Sequence, residues 1–263
     1  MSANTVLVFV FFYAPIALLV IFSFSDDQLV GRWGGFTFDW YRAFADNDEV
    51  QGALWVSVRV AIIATLVSVV LGTMAALSLE RFRFRGNRIF DALLYLPVIV
   101  PDVTMAVMML LFFTQAVDVV NSVFGTQITK GFTTVTLSHV AFSISFVSIV
   151  VRARLAGMTE NLEEAAQDLY ASRWQAFRFV TLPLIMPGIA GGALLALTLS
   201  LDDVVITQFV SGPGSTTLPV YVFGLIRRGV SPLINAVSVV MLAISILLVV
   251  SSLVAQRARD GAT

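Results

Sequence analysis

The sequence has few of the side chains on which most protein chemistry depends. Its 263 residues include no cysteine, one histidine (His139) and one lysine (Lys130), and only 13% of the residues are charged. Without cysteine, a disulfide and a cysteine-ligated zinc or iron–sulfur site are excluded. Lys130 stands in TQITKGF, which does not fit the G-x-x-x-x-G-K-[ST] loop that binds nucleotide phosphates. If the protein works with ATP, another chain must therefore hydrolyse it.

Apolar residues take the place of the missing charges. Hydrophobic residues make up 58% of the chain, and the mean hydropathy is +0.90. A soluble domain has about 25% charged residues, which it needs to cover its surface. The composition therefore predicts an integral membrane protein.

Six stretches are long and apolar enough to cross a bilayer, which needs roughly 20 mainly apolar residues per helix. The fifth is interrupted by Asp202 and Asp203 near its outer end. We therefore predict an all-α integral membrane protein with six transmembrane helices, at about Val6–Phe24, Ala53–Ser78, Ile89–Phe113, Thr134–Val151, Leu184–Val210 and Ala236–Val254.

The arginines of the connections predict the orientation of the chain, because cytoplasmic loops are enriched in Lys and Arg. The connections after spans 2 and 4 and the C-terminus carry Arg81, Arg83, Arg85, Arg88, Arg152, Arg154, Arg173, Arg178, Arg257 and Arg259. Basic residues on the opposite side are fewer and spread over longer loops. We expect both termini to face the cytoplasm.

A polar segment at about 159–182 interrupts the apolar pattern between spans 4 and 5. Within it, an apolar set recurs with helical spacing, and acidic and amide side chains occupy the other side. The apolar set is Leu162, Ala165, Ala166 and Leu169, and the polar set is Glu163, Gln167 and Asp168. Such a helix either lies on the bilayer surface or docks into a groove of a partner protein, and its periodicity does not choose between these.

The same segment resembles the EAA signature of the permease subunits of binding-protein-dependent ABC importers. Glu164-Ala165-Ala166, a position six residues after Glu164, and then Val180, Leu182 and Pro183 reproduce its spacing. The resemblance implies a coupling helix that docks into the ATPase subunit. The implied coupling residues are Glu163, Glu164, Ala165, Ala166, Asp168, Leu169 and Tyr170. The family usually has glycine at the position of Tyr170, so the backbone here either bends differently or accepts strain.

Longer fragments resemble the second permease of spermidine/putrescine importers, most closely that of the putrescine branch. They include YAPIALLVIFSFSDD, LPVIVPDV, LTLSLDDVVITQFVSGPGSTTLPVYVF and RRGVSPLINA. The resemblance implies the MetI-like fold of type I ABC importers, as a single transmembrane domain over residues 1–263 in the bacterial inner membrane. The implied partners are a homologous permease, two cytoplasmic ATPases that bind ATP and Mg²⁺, and a soluble polyamine-binding protein. Besides these we expect membrane lipid, but no nucleic acid, around the chain.

Carboxylates within the spans are the candidate solute-binding groups, because an ionised carboxylate in hydrocarbon usually faces a cavity or a partner. Span 5 carries Asp202 and Asp203, with Thr198 on the same helix face as Asp202, and span 3 carries Asp102 after Pro97 and Pro101. Carboxylates and the carbonyls freed by proline are acceptors, which suits a solute with several ammonium groups. Each aspartate could instead cap or bond a neighbouring helix.

Two further features of the spans have a structural interpretation. We expect His139, near the outer end of span 4, to be a packed polar residue and not a ligand. Gly188 and Gly192 form a G-x-x-x-G pair, which permits close helix packing, although the sequence does not identify the neighbouring helix.

Other functions remain open from the sequence. A permease of the same type could carry ferric iron, thiamine or a phosphonate, although an anionic solute would be expected to meet basic lining residues. A secondary transporter could use Asp202 and Asp203 for ion coupling, but it would not need an ATPase-docking helix. No nucleophile–base pair or metal-ligand set indicates an enzyme.

Overall fold

A computed structural model describes residues 3–158, 161–228 and 232–260. Residues 159 and 160, at the start of the predicted coupling segment, lie outside the described residues. The described residues form twelve α-helices and one π-helical segment, π1. They are α1 (Ala3–Phe22), α2 (Asp39–Asp46), α3 (Asp48–Arg81), α4 (Asn87–Ile99), α5 (Asp102–Phe124), α6 (Phe132–Leu155), α7 (Asn161–Asp168), α8 (Arg173–Ala176), π1 (Phe177–Thr181), α9 (Leu182–Asp202), α10 (Val205–Val210), α11 (Leu218–Arg228) and α12 (Pro232–Asp260).

Six helical stretches of the described residues are long and apolar enough to cross a membrane. This agrees with the six spans and the all-α fold predicted from hydropathy. The stretches are Asn4–Phe22, Asp48–Arg81, Asp102–Phe124, Phe132–Leu155, Arg173–Asp202 and Pro232–Ser251.

The predicted bounds of span 3, Ile89–Phe113, were wrong. The stretch is divided between α4 and α5 by a break at Val100 and Pro101. Val100 is extended, with ψ 131°, because the ring of a following proline disfavours the helical region for the residue before it. The 13 residues of α4 extend only about 20 Å, so α5 provides the span.

The predicted bounds of span 5, Leu184–Val210, were also wrong. Its helix begins upstream at Arg173, passes through π1 and ends at Asp202. Asp203 is extended, with ψ 126°, and α10 begins two residues later. The helix therefore ends at the adjacent aspartates that interrupt the apolar pattern.

The chain divides into two compact units. The first contains α1, α2, the start of α3 to Trp55, α11, and α12 as far as Val250. Its core is formed by Val50, Ala53, Leu218 and Val237. In the segment between α1 and α2, the Trp40 indole N–H donates to the Ser25 carbonyl at 2.7 Å.

The second unit contains Val56–Thr216 and the end of α12 from Ser251, and it is arranged around α6. The G-x-x-x-G pair of α9 packs against this helix. A Cβ built on Gly188 would lie 3.0 Å from the Arg154 Cβ, and one on Gly192 would lie 3.3 Å from the Val147 Cα. The glycines thus permit the close approach of α6 and α9 that positions the end of α9.

Buried residues of four helices surround the break between α9 and α10. This core contains Val60, Met105, Ala106, Phe113, Val135, Phe142, Ile206 and Val210. At the opposite end of α6, Arg152 donates to Glu80 of α3 at 2.8 Å and also bonds Asp91 of α4. Both ends of α6 are therefore fixed to neighbouring helices within this unit. The expectation of one transmembrane domain over residues 1–263 stays a prediction.

Candidate functional site

An acidic cavity of about 320 Å³ lies in the second unit, where the two helix breaks meet. It brings together Asp102, Asp202 and Asp203, the three carboxylates that are predicted to line the solute path. The rest of its lining is apolar. Those residues are Pro97, Met105, Phe142, Phe146, Leu199, Val204, Val205 and Ile206.

Two of the carboxylates are exposed at helix ends. Asp102 is in the first turn of α5, where the positive end of the helix dipole stabilises an anion. Asp202 is the last residue of α9, where the partial charge is negative and an added anion is unfavourable. The end of α9 therefore combines a carboxylate with the negative end of the helix dipole, an arrangement that attracts cations.

The third carboxylate, Asp203, accepts hydrogen bonds from neighbouring residues of its own chain. Its Oδ2 accepts from the Thr207 backbone N–H at 2.8 Å and from the Thr207 hydroxyl at 2.7 Å. Its Oδ1 accepts from the Ile206 N–H at 3.2 Å. Asp203 thus caps the first turn of α10 in the manner of an N-cap residue, so its main role is to hold the break.

His139 fixes this break to α6. Its ring is fully buried; Nδ1 lies 2.6 Å from the Ser200 hydroxyl and Nε2 lies 2.9 Å from the Thr207 hydroxyl. Nε2 also lies 3.3 Å from Asp203 Oδ2. One imidazole therefore bonds residues before and after the break. The prediction that His139 is a packed polar residue is confirmed, but its partners Ser200 and Thr207 could not be predicted from a local pattern.

Thr198 is not among the residues that line the cavity in the described chain. Its hydroxyl donates to the carbonyl oxygens of Leu194 and Leu195, within its own helix. Its assignment to the solute path stays a prediction.

The cavity lining contains no Lys, Arg or His among the described residues. Within the same described residues, no group of three or more His, Cys, Asp or Glu side chains is placed to hold a metal ion. The cavity therefore presents carboxylate oxygens, which are hydrogen-bond acceptors, beside an apolar wall.

The predicted coupling segment forms a second candidate site. Its helix, α7, presents a largely solvent-accessible apolar face: Leu162 is 45% and Leu169 is 82% exposed, and Ala165 is also exposed. Glu164 and Asp168 are exposed on the other side. The exposed Trp174 follows in α8, a short helix that Ser172 and Gln175 cap reciprocally. A contiguous apolar face of this kind is typical of an interaction site.

Tyr170 ends α7 in the left-handed conformation, with φ 64°. The Ala171 N–H bonds the Ala166 carbonyl at 3.0 Å, and the Tyr170 N–H bonds the Gln167 carbonyl at 2.9 Å. These two bonds form a Schellman motif, which usually has glycine at this position. The backbone bend is therefore kept, and Tyr170 accepts the strain while its ring is 98% exposed.

Glu163 differs from its neighbour Glu164. Its Oε1 accepts from Arg81 Nη2 at 3.0 Å and from the Thr181 hydroxyl. The predicted set of coupling residues therefore divides in two. Glu163 is directed toward its own chain, and the others are exposed except for the half-buried Ala166.

Comparison with known proteins relates the chain to transport systems. Residues 68–261 match the family described as binding-protein-dependent transport system inner membrane component. The putrescine transport system permease protein PotI of Escherichia coli is 42% identical over 89% of this chain and 82% of its own length. The spermidine/putrescine transport system permease protein PotC of Escherichia coli is 34% identical over 97% of this chain and 94% of its own length.

Solved structures share the fold. A bacterial ABC transporter involved in the import of the acidic polysaccharide alginate superposes with a TM-score of 0.79 at 18% identity, covering 97% of this chain and 93% of the other. A second structure of an alginate ABC transporter, in complex with a periplasmic protein that holds an alginate pentasaccharide, gives a TM-score of 0.77 at 17% identity, covering 95% of this chain and 90% of the other. The predicted resemblance, the ABC importer permease fold and the role as a transport subunit are confirmed.

Proposed function

Because the chain belongs to the family of binding-protein-dependent transport system inner membrane components, we propose that it is one permease subunit of an ATP-driven polyamine importer. Its solute would carry two or more ammonium groups, as putrescine and spermidine do. The relatives named for putrescine and spermidine transport support this solute class.

The acidic cavity is the observation that carries the proposal. Asp102 and Asp202 provide exposed carboxylates, and Asp202 stands at the negative end of α9. Ammonium groups have three donors and no acceptor, so carboxylate and carbonyl oxygens satisfy them. The chain between ammonium groups packs against apolar walls that include Phe142 and Phe146. The described lining of the cavity contains no basic residue, which suits a polycation and disfavours a phosphonate.

The exposed helix α7 supports coupling to a cytoplasmic ATPase. Its apolar face, with Leu162 and Leu169, would dock into a groove of the ATPase, and Tyr170 and Trp174 would extend the contact. ATP and Mg²⁺ would be bound by that partner, whose closure moves α7 and switches the cavity between outward- and inward-facing states. This chain would supply the path for the solute and no covalent chemistry.

The complete importer would contain three further components. A homologous permease would provide the other half of the path, two ATPases would occupy the cytoplasmic side, and a soluble polyamine-binding protein would deliver the solute. The binding-protein dependence of the family supports the last of these. The distribution of arginines supports an orientation in the inner membrane with both termini in the cytoplasm.

The test is ATP-dependent uptake by the complete complex reconstituted in vesicles. We expect labelled putrescine or spermidine to accumulate, and we expect unlabelled polyamines to compete while ferric iron, thiamine and 2-aminoethylphosphonate do not. Vanadate should abolish uptake by an ATP-driven importer. Uptake by an ion-coupled carrier would continue in its presence. A complex that hydrolyses ATP but imports neither polyamine would contradict the proposed solute.

A further inference from the structure

A single carboxylate oxygen connects α7 with two other parts of its own chain. Glu163 Oε1 accepts a hydrogen bond from Arg81 Nη2 at 3.0 Å and another from the Thr181 hydroxyl. The Glu163 and Arg81 side chains are only 25% and 18% exposed, and Thr181 is 1% exposed. Hydrogen bonds to ionised groups are the strong ones, and low exposure protects them from competition by water.

The two partners of Glu163 stand at the ends of long helices. Arg81 is the last residue of α3, and Thr181 is the last residue of π1, directly before α9. α9 continues for 21 residues to Asp202 at the acidic cavity, a distance of about 32 Å along a helix. The bond to Thr181 therefore joins α7 to the helix that ends at the cavity.

The position of Glu163 on α7 separates it from the docking face. Residues one apart on a helix point about 100° from each other, so Leu162 and Glu164 diverge to either side of Glu163. Both neighbours are exposed, whereas Glu163 lies against α3 and π1. A partner can thus cover the apolar face while Glu163 keeps its bonds within the chain.

We propose that Glu163 is a positioning residue: it fixes α7 to α3 and to π1, so that α7, Thr181 and α9 move as one body when the ATPase moves α7. Glu163 then does not contact the ATPase. Docking depends on the exposed face of α7, and transmission depends on the bonds of Glu163. This inference rests on the proposed function in one respect, namely that the partner of α7 is an ATPase.

The first test separates docking from transmission in the complete complex. Glu163→Gln keeps the shape but removes the charge, and Thr181→Val removes one donor. We expect both variants to assemble and hydrolyse ATP at the wild-type rate, while polyamine imported per ATP falls roughly fivefold or more. Asp118→Asn, which removes an exposed charge elsewhere, should leave the ratio unchanged. An unchanged ratio in Glu163→Gln would contradict the proposal, and so would a loss of assembly or of hydrolysis.

The second test replaces the hydrogen bond by a covalent bridge, which this chain allows because it contains no cysteine. Glu163→Cys and Thr181→Cys are combined and joined by a short bifunctional thiol reagent, with each single variant treated alike as a control. If the two residues move together, the bridge leaves ATP hydrolysis unchanged and restores import per ATP. If the bridge stops hydrolysis, Glu163 and Thr181 separate during the cycle and the proposal is wrong.

The bridge also distinguishes this inference from the proposed function. Its effect on ATP hydrolysis is measured without any solute. A wild-type complex that imports neither polyamine contradicts the proposed solute, and inhibition by the bridge contradicts the positioning role of Glu163.

Discussion

Asp203 Oδ2 accepts two hydrogen bonds from Thr207, one from its backbone N–H at 2.8 Å and one from its hydroxyl at 2.7 Å. The adjacent Asp202 is exposed in the cavity. Two carboxylates that are neighbours in the sequence thus have different roles, because α9 ends between them. Asp203, which caps α10, and Asp202, the candidate ligand of a cation, should therefore respond differently to substitution.

We expect Asp203→Ala to destabilise the permease. The substitution removes an acceptor from the N–H groups of Ile206 and Thr207 and from the Thr207 hydroxyl, which should lower the free energy of unfolding by about 1–3 kcal/mol. Asp202→Ala should leave the melting temperature of the purified permease unchanged or raise it slightly, because it removes an anion from the negative end of α9. Equal melting temperatures for the two variants would show that the cap is not formed.

The imidazole of His139 should be similarly important for stability. His139→Leu leaves the buried hydroxyls of Ser200 and Thr207 without this partner, at a cost of about 1–3 kcal/mol. The matched variant is Thr198→Val, which should have little effect because Thr198 donates to carbonyls of its own helix. Thermal unfolding of both variants, in the same detergent, measures the difference, and a stable His139→Leu protein would argue against the bonded network.

Two glycines of α3 provide a test of helix packing. A Cβ at Gly72 would lie 2.8 Å from the Val147 Cβ and 2.9 Å from the Ile144 carbonyl oxygen of α6, whereas one at Gly52 would meet nothing within 4 Å. Gly72→Ala should therefore destabilise the protein by about 1–3 kcal/mol, because the two helices must separate. Gly52→Ala should stabilise it by about 0.5–1 kcal/mol, because alanine favours the helix. Melting temperatures that move in the same direction would contradict this packing of α3 on α6.

Tyr170 combines backbone strain with an exposed ring, and Tyr170→Gly separates the two. Glycine should relieve about 1 kcal/mol of strain at the left-handed position and raise the melting temperature of the isolated permease pair. The same substitution removes the 98% exposed ring, so the affinity for the ATPase should fall. Unfolding and ATPase binding are measured on one preparation. If Tyr170→Gly bound the ATPase more tightly than wild type, the Tyr170 ring would not contribute to the docking contact.

Much of the fold could be predicted because its determinants are local in the sequence. Hydropathy predicted the number of spans, since about 20 apolar residues in a row have few other uses. The helix breaks were misplaced because they depend on particular residues within apolar runs. Pro101 imposes an extended Val100. Asp203 accepts from the backbone N–H groups three and four residues after it, at Ile206 and Thr207, so that the helix ends at Asp202.

The candidate site could be predicted only in part. Charge within apolar spans identified Asp102, Asp202 and Asp203, and the cavity brings them together. Periodicity placed Glu163 with the polar residues of α7, but its partners Arg81 and Thr181 lie 82 and 18 residues away in the chain. Contacts at such separations depend on the packing of several helices, which no local pattern encodes.

The most direct test of the acidic path is the KM for putrescine and spermidine uptake in Asp202→Asn, with Asp203 intact. Asp118→Asn serves as the matched loss of an exposed charge, and equal assembly and ATP hydrolysis are verified first. Loss of one charge-assisted hydrogen bond should raise KM by about tenfold or more for the polyamine that is imported, and Asp118→Asn should behave as wild type. An unchanged KM in Asp202→Asn would contradict the account, because the solute would then cross without contacting the carboxylate at the end of α9.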